Sequence, residues 1–128
     1  MSSIDSFIFK MPFACMMAGP SQSGKSTLLV DILNDSINMI SPSPQRIVYC
    51  YSTWSEGYKN IKNTEFLQGL PDLESFDPNI NNILVLDDLM AQVANNESMS
   101  DLFTVGSHHF NIGVFLLTQN LFSQAKFA

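Results

Sequence analysis

The chain has 128 residues, 45% of them apolar, and a formal net charge of −6, which predicts one globular domain over residues 1–128 because this length supplies a single core. The acidic balance and the single arginine, Arg46, exclude a broad basic surface for nucleic acid. Neither a signal peptide nor an apolar run of the roughly 20 residues that cross a bilayer is present, which predicts an intracellular protein without a membrane partner.

The first predicted elements lie on either side of a glycine-containing loop. The run from Phe13 to Ala18 is apolar on both faces, a pattern typical of a central strand in a parallel sheet. After the loop, apolar residues recur at helical spacing until the sequence SPSP at 41–44 ends the pattern. These helical positions are Leu28, Leu29, Ile32, Leu33, Ile37 and Ile40. We therefore expect a strand, a loop and an amphipathic helix in that order.

The middle of the chain contains two further predicted strands separated by a polar stretch. RIVYCYS at 46–52 is rich in β-branched and aromatic residues, and NNILVLDDL at 81–89 has a uniformly apolar centre. Glycines and prolines interrupt the segment between them, which predicts only short helices, around Tyr58–Ile61 and around Glu65–Leu67.

The last predicted elements are a helix and a fourth strand. SMSDLFTVGSHHF at 98–110 offers a serine cap with Asp101 three residues later, and IGVFLLTQN at 112–120 is apolar until its polar end. This alternation of strands and helices is typical of an α/β domain with a mostly parallel central sheet flanked by helices. Because residues 120–128 contain no capping or closing element, we expect the domain to be truncated at its C-terminus.

The loop after the first strand carries a phosphate-binding motif. GPSQSGKS matches G-x-x-x-x-G-K-[ST], and its place between a strand and a helix is the context that confirms this motif. Its backbone N–H groups would surround phosphate oxygens, Lys25 would reach the β- and γ-phosphates of ATP, and the Ser26 hydroxyl would bind Mg²⁺. The predicted nucleotide-binding residues are Gly19, Pro20, Ser21, Gln22, Ser23, Gly24, Lys25, Ser26 and Thr27. The alternative is an ordinary strand-to-helix turn in which Lys25 is only solvated.

Two acidic residues end the third strand. Mg²⁺ on a bound triphosphate needs a carboxylate on the far side of the site, and Asp87 is the candidate. Asp88 would be the base or would orient the attacking water, because consecutive residues at a strand end can address the metal and the γ-phosphate separately. Aspartate is one methylene shorter than the glutamate of many P-loop ATPases, so the water is held either closer or badly placed. The alternative is a polar strand end at which both acids meet water.

Other residues have both a functional and a structural interpretation. Gln119 closes the fourth strand, where its amide could contact the γ-phosphate, although glutamine at a strand end often has no such role. Trp54 and Tyr58 could stack on a base or a partner, but aromatic residues in irregular segments more often cover the edge of a core. The candidate catalytic residues are thus Lys25, Asp88 and Gln119, and the candidate metal ligands are Ser26 and Asp87.

Four stretches of the sequence resemble a known family. MPFACMMAGPSQSGKSTLL, RIVYCYS, FLQGLPDLESFDPNINNILVLDDLM and DLFTVGSHHFNIGVFLLTQNLF are similar to the DNA-packaging ATPases of eukaryotic large DNA viruses and of Polinton (Maverick) transposons. These ATPases belong to the FtsK/HerA branch of P-loop ATPases, and the resemblance covers residues 12–122. The acidic pair and the GSHH…LLTQN block are the features that point to this branch.

The resemblance implies an oligomeric ring that hydrolyses ATP, with Mg²⁺, to drive double-stranded DNA into a preformed capsid, in the cytoplasm or nucleus of a host cell. Double-stranded DNA and capsid proteins would be its partners. It also implies that the strand ending at Gln119 lies between the strand before the loop and the strand ending at Asp87. By position, Lys25, Ser26, Asp87, Asp88 and Gln119 take the roles described above.

Two positions depart from the family pattern. Family members use an arginine finger, usually from a neighbouring subunit, and losing such a finger typically costs about 10³- to 10⁵-fold in rate. Arg46 precedes the second strand, at the wrong end to reach phosphate, so the finger is expected from beyond Ala128 or from another protein. Phe110 stands where relatives often have a basic residue.

Two other functions are open from the sequence. A nucleotide or small-molecule kinase would need a lid with several arginines, and the chain has one. A degenerate nucleotide-binding module without turnover needs no arginine. A GTPase is excluded, because its N-K-x-D motif is absent.

Overall fold

The computed structural model describes residues 8–19, 25–103 and 110–119, except for the side chain of Ser26. In this part of the chain the fold is α/β, with a five-stranded parallel sheet flanked by helices and a separate two-stranded sheet. The strands are β1 (Phe9–Lys10), β2 (Phe13–Ala18), β3 (Ile40–Ser41), β4 (Arg46–Tyr51), β5 (Glu65–Gln68), β6 (Asn82–Asp87) and β7 (Ile112–Thr118). The helices are α1 (Lys25–Asn34), α2 (Ser36–Met39), α3 (Met90–Ala94) and α4 (Glu97–Asp101), with 3-10 helices at Glu56–Asn60 and Leu73–Ser75. No helix within the described ranges is both long and apolar enough to span a membrane.

The large sheet has the strand order β2-β7-β6-β4-β5, and all of its strand pairs are parallel. β7 therefore lies between β2 and β6, which confirms the strand order that the resemblance implied. In register, Ala18 lies opposite Thr118 and Asp87 lies opposite Leu117. The strands thus end on the same side of the sheet, here called the carboxyl end, and begin on the other side, here called the amino end.

Each face of the sheet has its own hydrophobic core. β6 contributes Ile83 and Val85 to the core under α1, and Leu84 and Leu86 to the core under α3 and α4. This division follows from the alternation of side chains along a strand. Because Asp87 continues the alternation of Ile83 and Val85, its side chain lies on the α1 face of the sheet. The two cores make β6 a rigid support for the acidic residue at its end.

The prediction of a central strand at Phe13–Ala18 is wrong, because β2 is an edge strand of the sheet that the described residues form. Its side chains alternate between half-buried and exposed. The half-buried ones are Phe13, Cys15 and Met17, which pack on the core under α1. On the opposite face Met16 is 46% exposed, and the core under α3 and α4 contains no residue of β2. A uniformly apolar run therefore does not require two covered faces.

The helix predicted around Glu65–Leu67 is also wrong, because these residues belong to β5. Its four residues pair with β4, from Val48 opposite Glu65 to Tyr51 opposite Gln68. Only Phe66 in β5 is half-buried, so the strand has no apolar periodicity to identify it. This segment is a strand because it pairs with β4, and such long-range pairing cannot be predicted from local propensity.

The remaining helix predictions are confirmed in part. The helix predicted up to residue 40 ends at Asn34 and is followed by the short α2, and Ile40 belongs to β3. Leu28 and Ile37 are exposed, so they are not part of its buried face.

The short helix predicted around Tyr58–Ile61 is the 3-10 helix Glu56–Asn60. In the helix predicted at 98–110, the cap is Asn96 rather than a serine, because its side chain accepts a hydrogen bond of 3.1 Å from the Met99 backbone N–H. The C-terminal part of that predicted helix, at 104–109, lies outside the described residues.

Candidate functional site

The carboxyl end of the sheet brings together predicted site residues from three strands. The backbone N–H of Gly19 donates to the Thr118 carbonyl at 3.1 Å, and the backbone N–H of Asp88 donates to the Leu117 carbonyl at 3.0 Å. The last residues of β7 thus hold the start of the glycine loop on one side and the acidic pair on the other. Gln119 follows directly and is exposed. Ligands of open parallel α/β sheets bind at this end of the strands.

Helix α1 begins on the far side of the glycine loop with Lys25, which is half-buried. Thr27, in the first turn, lines a cavity of about 240 Å³ together with Val30, Tyr49 and Asp87. The remaining lining residues come from the segment after β4 and are Ser55, Gly57, Tyr58 and Asn60. The first turn of α1 and the end of β6 therefore open into one space. Pro20, Ser21, Gln22, Ser23 and Gly24 lie outside the described residues.

Asp87 is held by two tyrosine hydroxyls that sequence analysis did not predict. Tyr49 and Tyr58 each donate a hydrogen bond of 2.7 Å to Oδ2 of Asp87. Burial and then the negative charge of Asp87 raise the pKa of Tyr49 above its ordinary value. Burial and the hydrogen bond to Asp87 likewise raise the pKa of Tyr58. Both phenols therefore stay protonated donors at neutral pH. No local signal could have identified them, because Tyr49 and Tyr58 are 38 and 29 residues away from Asp87 in sequence.

Asp88 has an unusual backbone conformation. Its φ of 60° lies in the left-handed region, which aspartate tolerates better than most residues but which remains uncommon outside glycine. The side chain is exposed, whereas that of Asp87 is half-buried. The turn thus separates the two carboxylates, with one fixed beside α1 and the other directed to solvent. Residues in sparsely populated backbone regions cluster at functional sites, where the surrounding structure holds them.

β4, the segment after it and β5 together form an aromatic cluster beside Asp87, composed of Tyr49, Tyr51, Trp54, Tyr58 and Phe66. Ring centroids of the contacting pairs are 4.7 to 5.8 Å apart. Tyr58 is buried, which confirms the prediction that it covers the edge of the core. Trp54 contacts three of these rings but keeps 43% of its surface exposed.

Arg46 lies at the amino end of β4, away from these residues, as predicted. Its Nε donates to Oε2 of Glu65 at 2.8 Å, and its Nη1 donates to the Ser75 carbonyl at 2.9 Å. The guanidinium carbon also lies 4.9 Å from the ring centre of Phe76. The hydrogen bond from Arg46 lowers the pKa of Glu65. The only arginine of the chain is thus fully engaged in structural contacts.

The donor groups around the cavity suit a hard cation. Asp87 supplies carboxylate oxygen and Thr27 a hydroxyl, while no group of three or more His, Cys, Asp or Glu residues in the described part of the chain forms a complete metal cage. A site with few protein oxygens matches Mg²⁺, which usually keeps several waters and takes further ligands from substrate phosphates. The residues present therefore fit magnesium delivered with a nucleotide, and they do not fit a stand-alone structural metal.

Comparison with known proteins gives no relative for this chain: no protein-family model matches the sequence, and no curated protein and no solved structure matches it either. The function is therefore inferred from the residues at the carboxyl end of the sheet and from their chemistry.

Proposed function

We propose that the chain is a P-loop domain that binds ATP with Mg²⁺ and hydrolyses it. One observation carries this proposal. The motif GPSQSGKS leads from β2 into α1, and an aspartate held by two hydroxyls ends β6 beside the first turn of that helix. A phosphate-binding loop and a fixed carboxylate are the two protein parts that a magnesium–triphosphate complex needs.

Each residue at this end of the sheet has a role that fits its chemistry. The Lys25 ammonium would neutralise the β- and γ-phosphates, and the hydroxyl of Ser26 and the carboxylate of Asp87 would bind Mg²⁺. The cation, when bound, neutralises charge that develops on the phosphates. The exposed Asp88 carboxylate would accept a proton from the attacking water or orient it, and the Gln119 amide would contact the γ-phosphate.

Within this proposal, the resemblance to viral and Polinton DNA-packaging ATPases suggests a motor that moves double-stranded DNA into capsids. The net charge of −6 is unfavourable for DNA binding by an isolated subunit, so the DNA-contacting surface would have to arise in a ring. Because Arg46 is the single arginine of the chain, an arginine at the site would have to come from outside this sequence. If subunits complete each other's sites in a ring, turnover should still rise steeply with protein concentration.

A second candidate is a nucleotide-binding module without turnover, and the engagement of Arg46 favours it. With this guanidinium bound to Glu65 at the amino end, the chain has no arginine of its own to stabilise the transferring phosphoryl group. Such a module would bind magnesium nucleotide through the same residues and release it unchanged.

Steady-state ATP turnover measured over a range of protein concentrations tests the proposal. We expect activity per subunit to increase with concentration and Lys25→Ala to remove it. Truncating Lys25 removes a hydrogen bond to charged phosphate, so nucleotide affinity should also fall by about 10- to 150-fold, or about 1.5–3 kcal/mol. The exposed Lys10, which precedes β2, provides the matched Lys10→Ala control. Binding without turnover at any concentration would favour the second candidate, and no binding would contradict both.

A further inference from the structure

The contacts of Asp87 distinguish its two carboxylate oxygens. Tyr49 and Tyr58 both donate to Oδ2, at 2.7 Å each. Within the described part of the chain, no hydrogen bond reaches Oδ1. A carboxylate at a strand end can rotate about two side-chain bonds, and two short hydrogen bonds to one oxygen remove that freedom. The pair of tyrosines therefore holds Asp87 in a single orientation with one oxygen occupied and one available.

The two tyrosines are themselves rigidly held. Tyr49 is 1% exposed in the middle of β4, and Tyr58 is 8% exposed in the 3-10 helix that follows. Their ring centroids are 4.7 Å apart, and both rings also contact Phe66. Because the rings come from different elements and pack on each other, the position of Asp87 depends on the fold of the segment after β4.

We propose that Tyr49 and Tyr58 are positioning residues for the divalent cation, which hold Asp87 so that it binds the cation through Oδ1 alone. This inference rests on the proposed function. Hydrogen-bond partners of metal ligands fix ligand orientation, and their loss typically costs about 10- to 100-fold in metal affinity or activity. The two tyrosines line the same cavity as Asp87, and their hydroxyls would act on the cation through that carboxylate rather than by binding it.

The arrangement has a consequence for the choice of cation. Mg²⁺ requires near-octahedral geometry with separate oxygen ligands, whereas Ca²⁺ readily takes both oxygens of one carboxylate. With Oδ2 occupied by two hydroxyls, Asp87 is restricted to binding through one oxygen. The tyrosine pair should therefore favour Mg²⁺ over Ca²⁺ in the presence of nucleotide, and removing a hydroxyl should weaken this preference.

The test compares Tyr58→Phe and Tyr49→Phe with the control Tyr51→Phe. Tyr51 belongs to the same aromatic cluster and lies opposite Asp87 in the sheet, but its hydroxyl donates no hydrogen bond to Asp87. Affinity for a non-hydrolysable ATP analogue is measured by calorimetry in Mg²⁺, in Ca²⁺ and in excess chelator. For Tyr58→Phe we expect the ratio of the affinities in Mg²⁺ and in chelator to fall about 10- to 100-fold, with the affinity in chelator unchanged. A purely structural role would lower both affinities together.

The outcomes separate the two proposals. A wild-type ratio in Tyr58→Phe and Tyr49→Phe, with analogue binding intact, would overturn the positioning role and leave the proposed function standing. Failure of the wild-type protein to bind the analogue in any condition would overturn the proposed function and this inference with it. If the buried Tyr49→Phe variant does not fold, the outcome is decided by Tyr58→Phe, whose folding is verified by its unfolding transition and by Trp54 fluorescence.

Discussion

The two ends of the parallel sheet carry similar polar residues but use them differently. At the amino end, Arg46 is bound to Glu65, and the amide of Asn111 donates to the Ile80 carbonyl at 2.7 Å and to Oδ1 of Asn81 at 3.0 Å. At the carboxyl end, the side chains of Asp88 and Gln119 are exposed. The polar groups named at the amino end hold loops to the sheet, whereas Asp88 and Gln119 are accessible at the end where we propose that the nucleotide binds.

The amino end also shows how completely such residues can be used by the fold. Asn82 is fully buried, and its Nδ2 lies 2.9 to 3.5 Å from four backbone carbonyls. Only its Oδ1 has no partner among the described residues. At the carboxyl end, Asp87 is held by the hydroxyls of Tyr49 and Tyr58. This difference predicts that substitutions at the amino end change stability, whereas those at the carboxyl end change nucleotide chemistry.

The largest expected effect is that of Asp88→Asn on the rate of ATP hydrolysis. Asparagine keeps the shape of the side chain and also tolerates the left-handed conformation, but it is a poor base. If Asp88 activates the attacking water, single-turnover hydrolysis should slow by about 10²- to 10⁴-fold with little change in nucleotide affinity. At the amino end, the matching Asn111→Asp change should leave the hydrolysis rate unaltered. Equal rates for wild type and Asp88→Asn would remove Asp88 from the catalytic residues.

A smaller effect is expected from glycine substitutions at two of the three described non-glycine residues with left-handed backbone, Asp88 with φ 60° and Asn111 with φ 54°. Glycine relieves the backbone at both positions, but only Asn111→Gly loses hydrogen bonds. We expect the free energy of unfolding of Asp88→Gly to stay within about 0.5 kcal/mol of the wild-type value, because relief of backbone strain offsets the added freedom of the unfolded chain. Asn111→Gly should be about 1–3 kcal/mol less stable through two lost hydrogen bonds. Denaturant unfolding measures both, and equal losses would contradict the comparison.

The smallest expected effect concerns the pH dependence of the amino end. The pKa of Glu65 is lowered in the folded protein by Arg46, so its contribution to stability is present above its ordinary value of 4.5 and is lost as the pH falls through the lower folded value. Because the Glu65 side chain is 60% exposed, this contribution is about 0.2–1 kcal/mol. Glu65→Gln should be less stable than wild type by this amount at pH 7, and the difference should vanish in acid. A difference that persists at pH 3 would show a contribution other than charge.

Much of the sheet could be predicted from the sequence because its central strands are uniformly apolar. β6 and β7 are buried on both faces, so nearly all of their residues are apolar and the strands can be recognised in the sequence. β5 could not be predicted, since Glu65, Leu67 and Gln68 are exposed and only pairing with β4 defines the strand. The edge position of β2 could not be predicted either, because an apolar residue such as Met16 can be buried or exposed.

Only those residues of the candidate site that belong to a local sequence pattern could be predicted. Lys25 and Asp87 could be identified from a motif and a strand end, and the parallel topology brings their elements to one cavity. The hydroxyls of Tyr49 and Tyr58 on Asp87 could not be predicted, because such contacts depend on packing between distant segments. Local sequence marks the residues that would touch a ligand, and the tertiary structure determines which groups hold them.

Amide chemical shifts of the isotope-labelled chain, recorded with and without magnesium and a non-hydrolysable ATP analogue, test the central claim most directly. A chain of 128 residues is well suited to this measurement. We predict shift changes at Gly19, Lys25, Asp88 and Gln119, at the carboxyl end, and none at Asn111. Saturating analogue that moves no resonance at the carboxyl end, or that moves mainly those of the amino end, would contradict the claim.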